Sequence, residues 1–173
     1  MTKQETIRIY GRKQPYFQFS NFSPNPFMLL GERWRTSEHL YQALKHVMTD
    51  RARALRIRDA KTSRQARDLA WEFDLSSHAD WDLVRDDAMR LAVLCKFLGN
   101  PELEELLLKT GDCRLIEASP NDYYWGEGDD SSGLNKMGRI LMEVRDLLRR
   151  PGAAHAKLML LIGQFRQHLQ RLQ

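Results

Sequence analysis

Glu38, Gln42 and Lys45 stand at positions i, i+4 and i+7 of a segment that reads as a helix. That spacing puts a carboxylate, an amide and an ammonium on one face. Glu38 also opens the helix, where the backbone dipole favours its ionised form. Such a group can orient or deprotonate water and can stabilise developing positive charge. Read from these residues alone, a solvated face with a glutamate at the helix start is the plainer account. Aromatic residues weigh on the other side. Trp34 precedes the segment, Tyr41 lies in it, and Trp81 and Trp125 stand beside Asp80, Asp82 and Asp122. Tryptophan next to acids suits stacking on a base or sugar, although core packing is its commoner use.

Other chemistries find less support. His39 and His46 are seven residues apart, about 10.5 Å along a helix, too far to share an ion without other ligands. His78, His155 and His168 fall in unrelated segments, so no metal site is expected. No Gly-x-Ser-x-Gly elbow is present, and neither Cys95 nor Cys113 has a histidine placed to activate it. Gly126-Glu127-Gly128 is embedded in acids that would repel a phosphate. Acid–base work by carboxylates remains.

The elements that must position these groups are mostly helical. Alternation around Ile7 and Ile9 is a weak strand signal, and residues 27–35 read as a β-hairpin turning at Gly31-Glu32. Helices are expected over 37–48, capped by Thr36 or Ser37, over 51–58 behind Asp50, and from Ser63 to Trp71. A long helix over 80–98 stops at Gly99. Asn100-Pro101-Glu102 restarts another that ends near Gly111. A short strand over 114–117 leads to a loop over 119–134, long enough to be functional. Two amphipathic helices follow, broken at Pro151-Gly152. The fold expected is mainly α: a single-domain helical bundle over 1–150 with a small N-terminal antiparallel β element (α+β by a strict count). A C-terminal helix over 151–173 should pack on the same domain.

The chain has 173 residues, enough for one sizeable core, with 42% hydrophobic and 29% charged residues. No run approaches a membrane span or a signal peptide, and two cysteines read as free buried thiols, so a cytoplasmic protein is expected. Net charge is +4. Arg51, Arg53, Arg56, Arg58, Lys61, Arg64 and Arg67 face Asp59 alone within one run. This basic run either solvates two surface helices or holds phosphate or a nucleic-acid backbone.

Several blocks in order resemble the YbiA-like family of N-glycosidases, the NADAR superfamily. They are Phe19-Ser20-Asn21-Phe22, the stretch from Trp34 to Lys45, Trp81, residues 92–97 and 106–110, Asn121 to Gly128, and Gly133 to Arg145. The match covers roughly residues 16 to 148. It implies hydrolysis of an N-glycosidic bond without a cofactor, in ribosylamino-pyrimidine phosphates of riboflavin synthesis. Relatives remove ADP-ribose from guanine in nucleic acid, or handle NAD-derived ligands. Three alternatives follow: the riboflavin-intermediate hydrolase, an ADP-ribosyl-guanine hydrolase, and a non-catalytic ADP-ribose or NAD-binding module.

By that resemblance Glu38 matches the catalytic glutamate, and Trp81 and Asp122 match further active-site positions. Trp125 and Asn135 are motif residues nearby. Glu38 would stabilise an oxocarbenium-like transition state and activate water. Asp122 or Lys45 would serve the departing nitrogen, or Asp122 would bind ribose hydroxyls. Asn21, Phe22, Lys45, Trp81, Trp125 and Asn135 would bind substrate, with nucleic acid left open as a partner and a monomer or weak dimer expected. Arg35 stands where the family has proline, and Ala70-Trp71 replaces a small-then-basic pair.

Overall fold

The computed structural model describes residues 5–47, 49–72 and 81–173. In chain order its elements are β1 (Thr6–Ile9), a 3-10 turn (Phe17–Phe19), β2 (Phe27–Leu29), β3 (Glu32–Trp34), α1 (Ser37–His46), α2 (Arg51–Arg58), α3 (Ser63–Trp71), α4 (Trp81–Leu98), α5 (Pro101–Lys109), β4 (Arg114–Glu117), α6 (Lys136–Leu148) and α7 (Ala153–Gln170). The fold is mainly α with small β elements. Residues 48, 78 and 80, on which parts of the helix and histidine readings fell, lie outside the described residues.

α4 is the axis of the bundle. Its residues from Leu91 to Phe97 are buried all round, as expected of a helix whose apolar residues are not confined to one stripe. α1, α6 and α7 pack on it. α1 is the surprise, because nine of its ten residues are buried, the polar ones included. A solvated face for Glu38 and Gln42 is therefore excluded, and Lys45 is half-buried beside them. Buried polar groups need partners, and the two histidines of α1 find them in backbone. His39 lies 2.8 Å from Thr36 Oγ1 and 3.1 Å from the Ala60 carbonyl, and His46 lies 3.1 Å from the Ala70 carbonyl. These contacts fasten α1 to α2 and α3.

Capping follows side-chain chemistry, with two shifts from expectation. Thr36 and Asp50 cap α1 and α2, accepting from the His39 and Arg53 N–H groups. Thr62, not Ser63, caps α3, which frees the Ser63 hydroxyl to donate to the Phe22 carbonyl. Asn100 makes no cap bond and spends its amide on the Pro26 and Lys96 carbonyls.

β2 and β3 form the antiparallel hairpin in the register Phe27↔Trp34. Its turn is Leu30-Gly31, one residue earlier than expected, and both residues have positive φ as a two-residue hairpin turn requires. β1 instead pairs in parallel with β4, Thr6 opposite Arg114, which ties the N-terminal strand to the segment that follows α5.

The basic run divides by helix. Arg51 and Arg58 of α2 donate to the Arg171 and Leu172 carbonyls, where cations complement the C-terminus of α7. Arg64 and Arg67 of α3 point elsewhere, as described below. α7 sinks Leu161, Phe165 and Leu169 into the common core, joined by Leu172 just beyond it, and leaves Met159 and Leu160 exposed. Cys95 is buried, and burial pushes its thiol up to about 12; Cys113 is only half-buried, a correction to the pair of buried thiols expected. Among the described residues, no helix is long and apolar enough to cross a membrane.

Candidate active site

Burying α1 next to a loop-rich edge of the bundle leaves a cavity of about 930 Å³. Six of the eight residues expected at a site line it: Glu38, Asn21, Phe22, Lys45, Asp122 and Trp125. Trp81 and Asn135 do not.

Glu38 is 5% exposed. Its Oε1 accepts a 2.7 Å bond from Gln42 Nε2, the partner that i, i+4 spacing predicts. Burial raises its pKa above the usual carboxylate range. The Gln42 bond and the charges of Lys45 and Arg67 pull it back down, while Asp122 pushes it up. Burial likewise lowers the pKa of Lys45, against the attraction of Glu38. Arg35 is exposed, and its charge acts on His39 rather than on Glu38. Gln42 is itself buried, and its Oε1 has no partner among the described residues. An orphaned buried acceptor is costly.

The 20–22 loop is braced rather than free. Asn21 accepts from Ser37 Oγ at 2.8 Å, and its Nδ2 lies 2.9 Å from Met89 Sδ. Its carbonyl accepts from the Glu38 N–H, so Asn21 holds the start of α1 in place. Lys96, fully buried on α4, pins the same loop by donating to the Ser20 carbonyl and to Ser23 Oγ, both at 2.7 Å. Phe22 forms wall, with the Arg67 guanidinium 5.3 Å from its ring centre.

The long loop over 119–134 is folded onto itself and onto the bundle. Asp122 Oδ1 accepts from the Tyr124 and Trp125 N–H groups, an Asx-type turn that sets the Trp125 ring in the wall. Trp125 meets Tyr41 edge-on with ring centres 5.5 Å apart, and Trp81 packs behind Tyr41 at the same distance. Burial raises the Tyr41 phenol far above its ordinary value, so the ring acts as a neutral wall. Arg85 stacks on Tyr124, whose hydroxyl donates to Asp86, and Lys136 pairs with the same carboxylate. This latch ties the loop to α4.

Asn135 does its work one layer away. It adopts a left-handed backbone (φ 48°), which asparagine tolerates better than most residues. Its side chain accepts from the Glu117 N–H and donates to the Leu115 carbonyl, both at 2.9 Å, holding β4 from the side. Gly138 makes this possible, since a Cβ there would lie 2.2 Å from the Leu115 carbonyl. Replacing Asn135 by alanine removes two buried hydrogen bonds and strains the backbone, and is expected to cost about 2–4 kcal/mol. Urea unfolding measures this, and a loss below about 1 kcal/mol would contradict the bracing role.

Sequence reasoning missed part of the lining. Glu117, at the end of β4, faces Glu38 and Asp122; its only sequence signal was a charged residue closing a strand before the long loop. Arg64, Arg67 and Trp71 of α3 line the mouth, with Arg67 5.1 Å from the Trp71 ring centre. Trp71 thus stands where the family resemblance has a basic residue, with two arginines within the preceding two turns.

The NADAR domain family model matches residues 9–149 and stops before α7. An N-glycosidase of Nostoc punctiforme is 45% identical over 145 residues, 83% of this chain and 93% of that protein. The chloroplastic riboflavin biosynthesis protein PYRR of Zea mays is 39% identical over 152 residues, which cover 80% of this chain but 24% of that protein. The NMR structure of Escherichia coli YbiA superposes with a TM-score of 0.77 at 34% identity, covering 86% of this chain and 88% of that one.

Proposed function

The chain belongs to the NADAR domain family, and on that premise we propose that it is an N-glycosidase whose substrate is a ribosylamino-pyrimidine phosphate of riboflavin synthesis. Curated relatives named N-glycosidase match most of the chain, and relatives named for riboflavin biosynthesis match it over one part of their length. The observation that carries the reading is Glu38, a buried carboxylate with a donor, Gln42, and two cations, Lys45 and Arg67, opening on a cavity with aromatic walls.

Breaking a C1′–N bond builds positive charge on the sugar. Glu38 stabilises that charge and takes the proton of the water that attacks C1′. The second oxygen of Asp122 is an acceptor for ribose hydroxyls. Trp125, Tyr41 and Phe22 offer faces and edges to the pyrimidine, and Arg64 and Arg67 at the mouth suit the 5′-phosphate. Trp81 and Asn135 contribute from behind, by backing Tyr41 and by holding β4.

One feature favours a second reading, an ADP-ribosyl-guanine hydrolase. The cavity continues past the arginines to Trp71, which is 66% exposed and offers a free stacking face to a longer ligand. The deciding measurement is release of the free base from a ribosylaminopyrimidine phosphate and from an ADP-ribosylated guanine oligonucleotide. Turnover of the oligonucleotide alone, with affinity falling steeply between about 50 and 200 mM salt, moves the assignment to nucleic acid. Tight ADP-ribose binding with turnover of neither makes the chain a binding module.

A further inference from the structure

We propose that Glu117 is the general acid of this site, protonating the departing nitrogen while Glu38 acts as the anionic partner across the cavity. This deepens the N-glycosidase reading and rests on it. Two carboxyl groups in one cavity do different work when their surroundings differ. Glu38 is supplied for negative charge: Gln42 Nε2 donates to it at 2.7 Å, and Lys45 and Arg67 stand near. Glu117 lines the same cavity and has no hydrogen-bond donor on its carboxyl among the described residues. Its facing groups are Lys96 from α4, Glu38 from α1 and Asp122 from the 119–134 loop, with Tyr10 and Arg12 lining the cavity from the loop after β1. Among the described residues the cation acting on it is Lys96, whose ammonium is directed at the Ser20 carbonyl and Ser23 Oγ.

Its backbone is fixed on both sides. The Glu117 N–H donates to Asn135 Oδ1, and its carbonyl accepts from the Glu127 N–H, both at 2.9 Å. An acid held on a pinned strand end meets the need of proton transfer for fixed geometry. Burial, reinforced by Asp122 and opposed by Lys96, pushes the Glu117 carboxyl up to about 8. It therefore carries its proton at neutral pH.

The C1′–N bond breaks with its electron pair going to nitrogen, and that nitrogen takes the proton of the Glu117 carboxyl. Water oxygen bonds to C1′ and gives one proton to Glu38. The products are ribose 5-phosphate and the free aminopyrimidine. Return of the proton from Glu38 to Glu117 through solvent in the opened site resets the enzyme.

The test compares wild type with Glu117→Gln on whichever N-riboside the wild type hydrolyses, and on 4-nitrophenyl β-riboside 5′-phosphate. The nitrophenolate departs without a proton. Glutamine is expected to cut kcat on the N-riboside by about 10²–10⁴, to shrink that loss to within about tenfold on the aryl riboside, and to abolish the fall in kcat/KM above about pH 8. Equal losses on both substrates, or no loss on either, overturn the assignment, the first leaving Glu117 structural. If the aryl riboside is not a substrate, the pH profile decides: an alkaline limb that persists in the variant overturns the proposal. A wild type that cleaves no N-riboside overturns the hydrolase reading itself, a result distinct from an unaffected variant.

Discussion

Replacing Glu38 by glutamine is expected to lower kcat by about 10³-fold or more, with KM changed by less than about fivefold. Glutamine keeps the shape and still accepts from Gln42, so only the charge is lost. That charge matters most where positive charge develops, in the transition state, and hence in kcat rather than KM. Stability should move the other way. Glu38 is nearly fully buried, and its pKa is raised chiefly by desolvation. A raised folded pKa means the native state holds a proton that the unfolded chain has already released. Its favourable contribution is present at acid pH and is lost as pH rises through the folded value. Glu38→Gln should then melt at or above the wild-type temperature. Steady-state kinetics with thermal melts separates this from a capping role, in which stability would fall and chemistry would survive. A variant retaining more than about a tenth of wild-type kcat would remove Glu38 from the chemistry.

Lys96→Ala should be the most destabilising of the substitutions considered, by about 3–5 kcal/mol. It empties the volume of a long side chain in the core and leaves the Ser20 carbonyl and Ser23 Oγ without their donor. Lys96→Met, which refills the volume, should recover roughly half of that. The pH dependence is more telling. Burial lowers the Lys96 ammonium to about 7, against the attraction of Glu117. The unfolded chain keeps that proton up to about pH 10, so this residue makes stability rise with pH from about 7 to about 10. Glu117 is raised to about 8 from an unfolded value near 4, so it makes stability fall as pH climbs through that window. Together the pair predicts a trough around pH 7–8. Lys96→Met should abolish the rise above it and Glu117→Gln the fall below it. Urea midpoints across pH 5–10 measure both limbs, and a rising limb unchanged in Lys96→Met would remove Lys96 as its source.

Much of the local structure could be read before any coordinates. Helix starts followed from Thr36 and Asp50, whose side chains take the first free N–H groups. The Glu38–Gln42 bond followed from helical spacing. The hairpin followed from a glycine between two apolar runs, off by one residue because Leu30 accepts positive φ there. These outcomes depend on residues within a turn or two of one another, so neighbouring side chains suffice to decide them.

The sequence by itself determined which groups share a face of α1: a carboxylate, an amide and an ammonium. It could not determine whether that face meets water. Burial of α1 depends on α2, α3 and α4 closing round it, and no periodicity within α1 encodes that. Nor could it place Glu117 in the same cavity as Glu38, since that rests on β4 pairing in parallel with β1 and on Asn135 and Gly138 bracing it from the side. Spacing along a helix is local geometry, whereas a cavity is made by segments distant in sequence. The tertiary structure alone therefore turned Glu38 from a candidate helix cap into a buried carboxylate facing a second one.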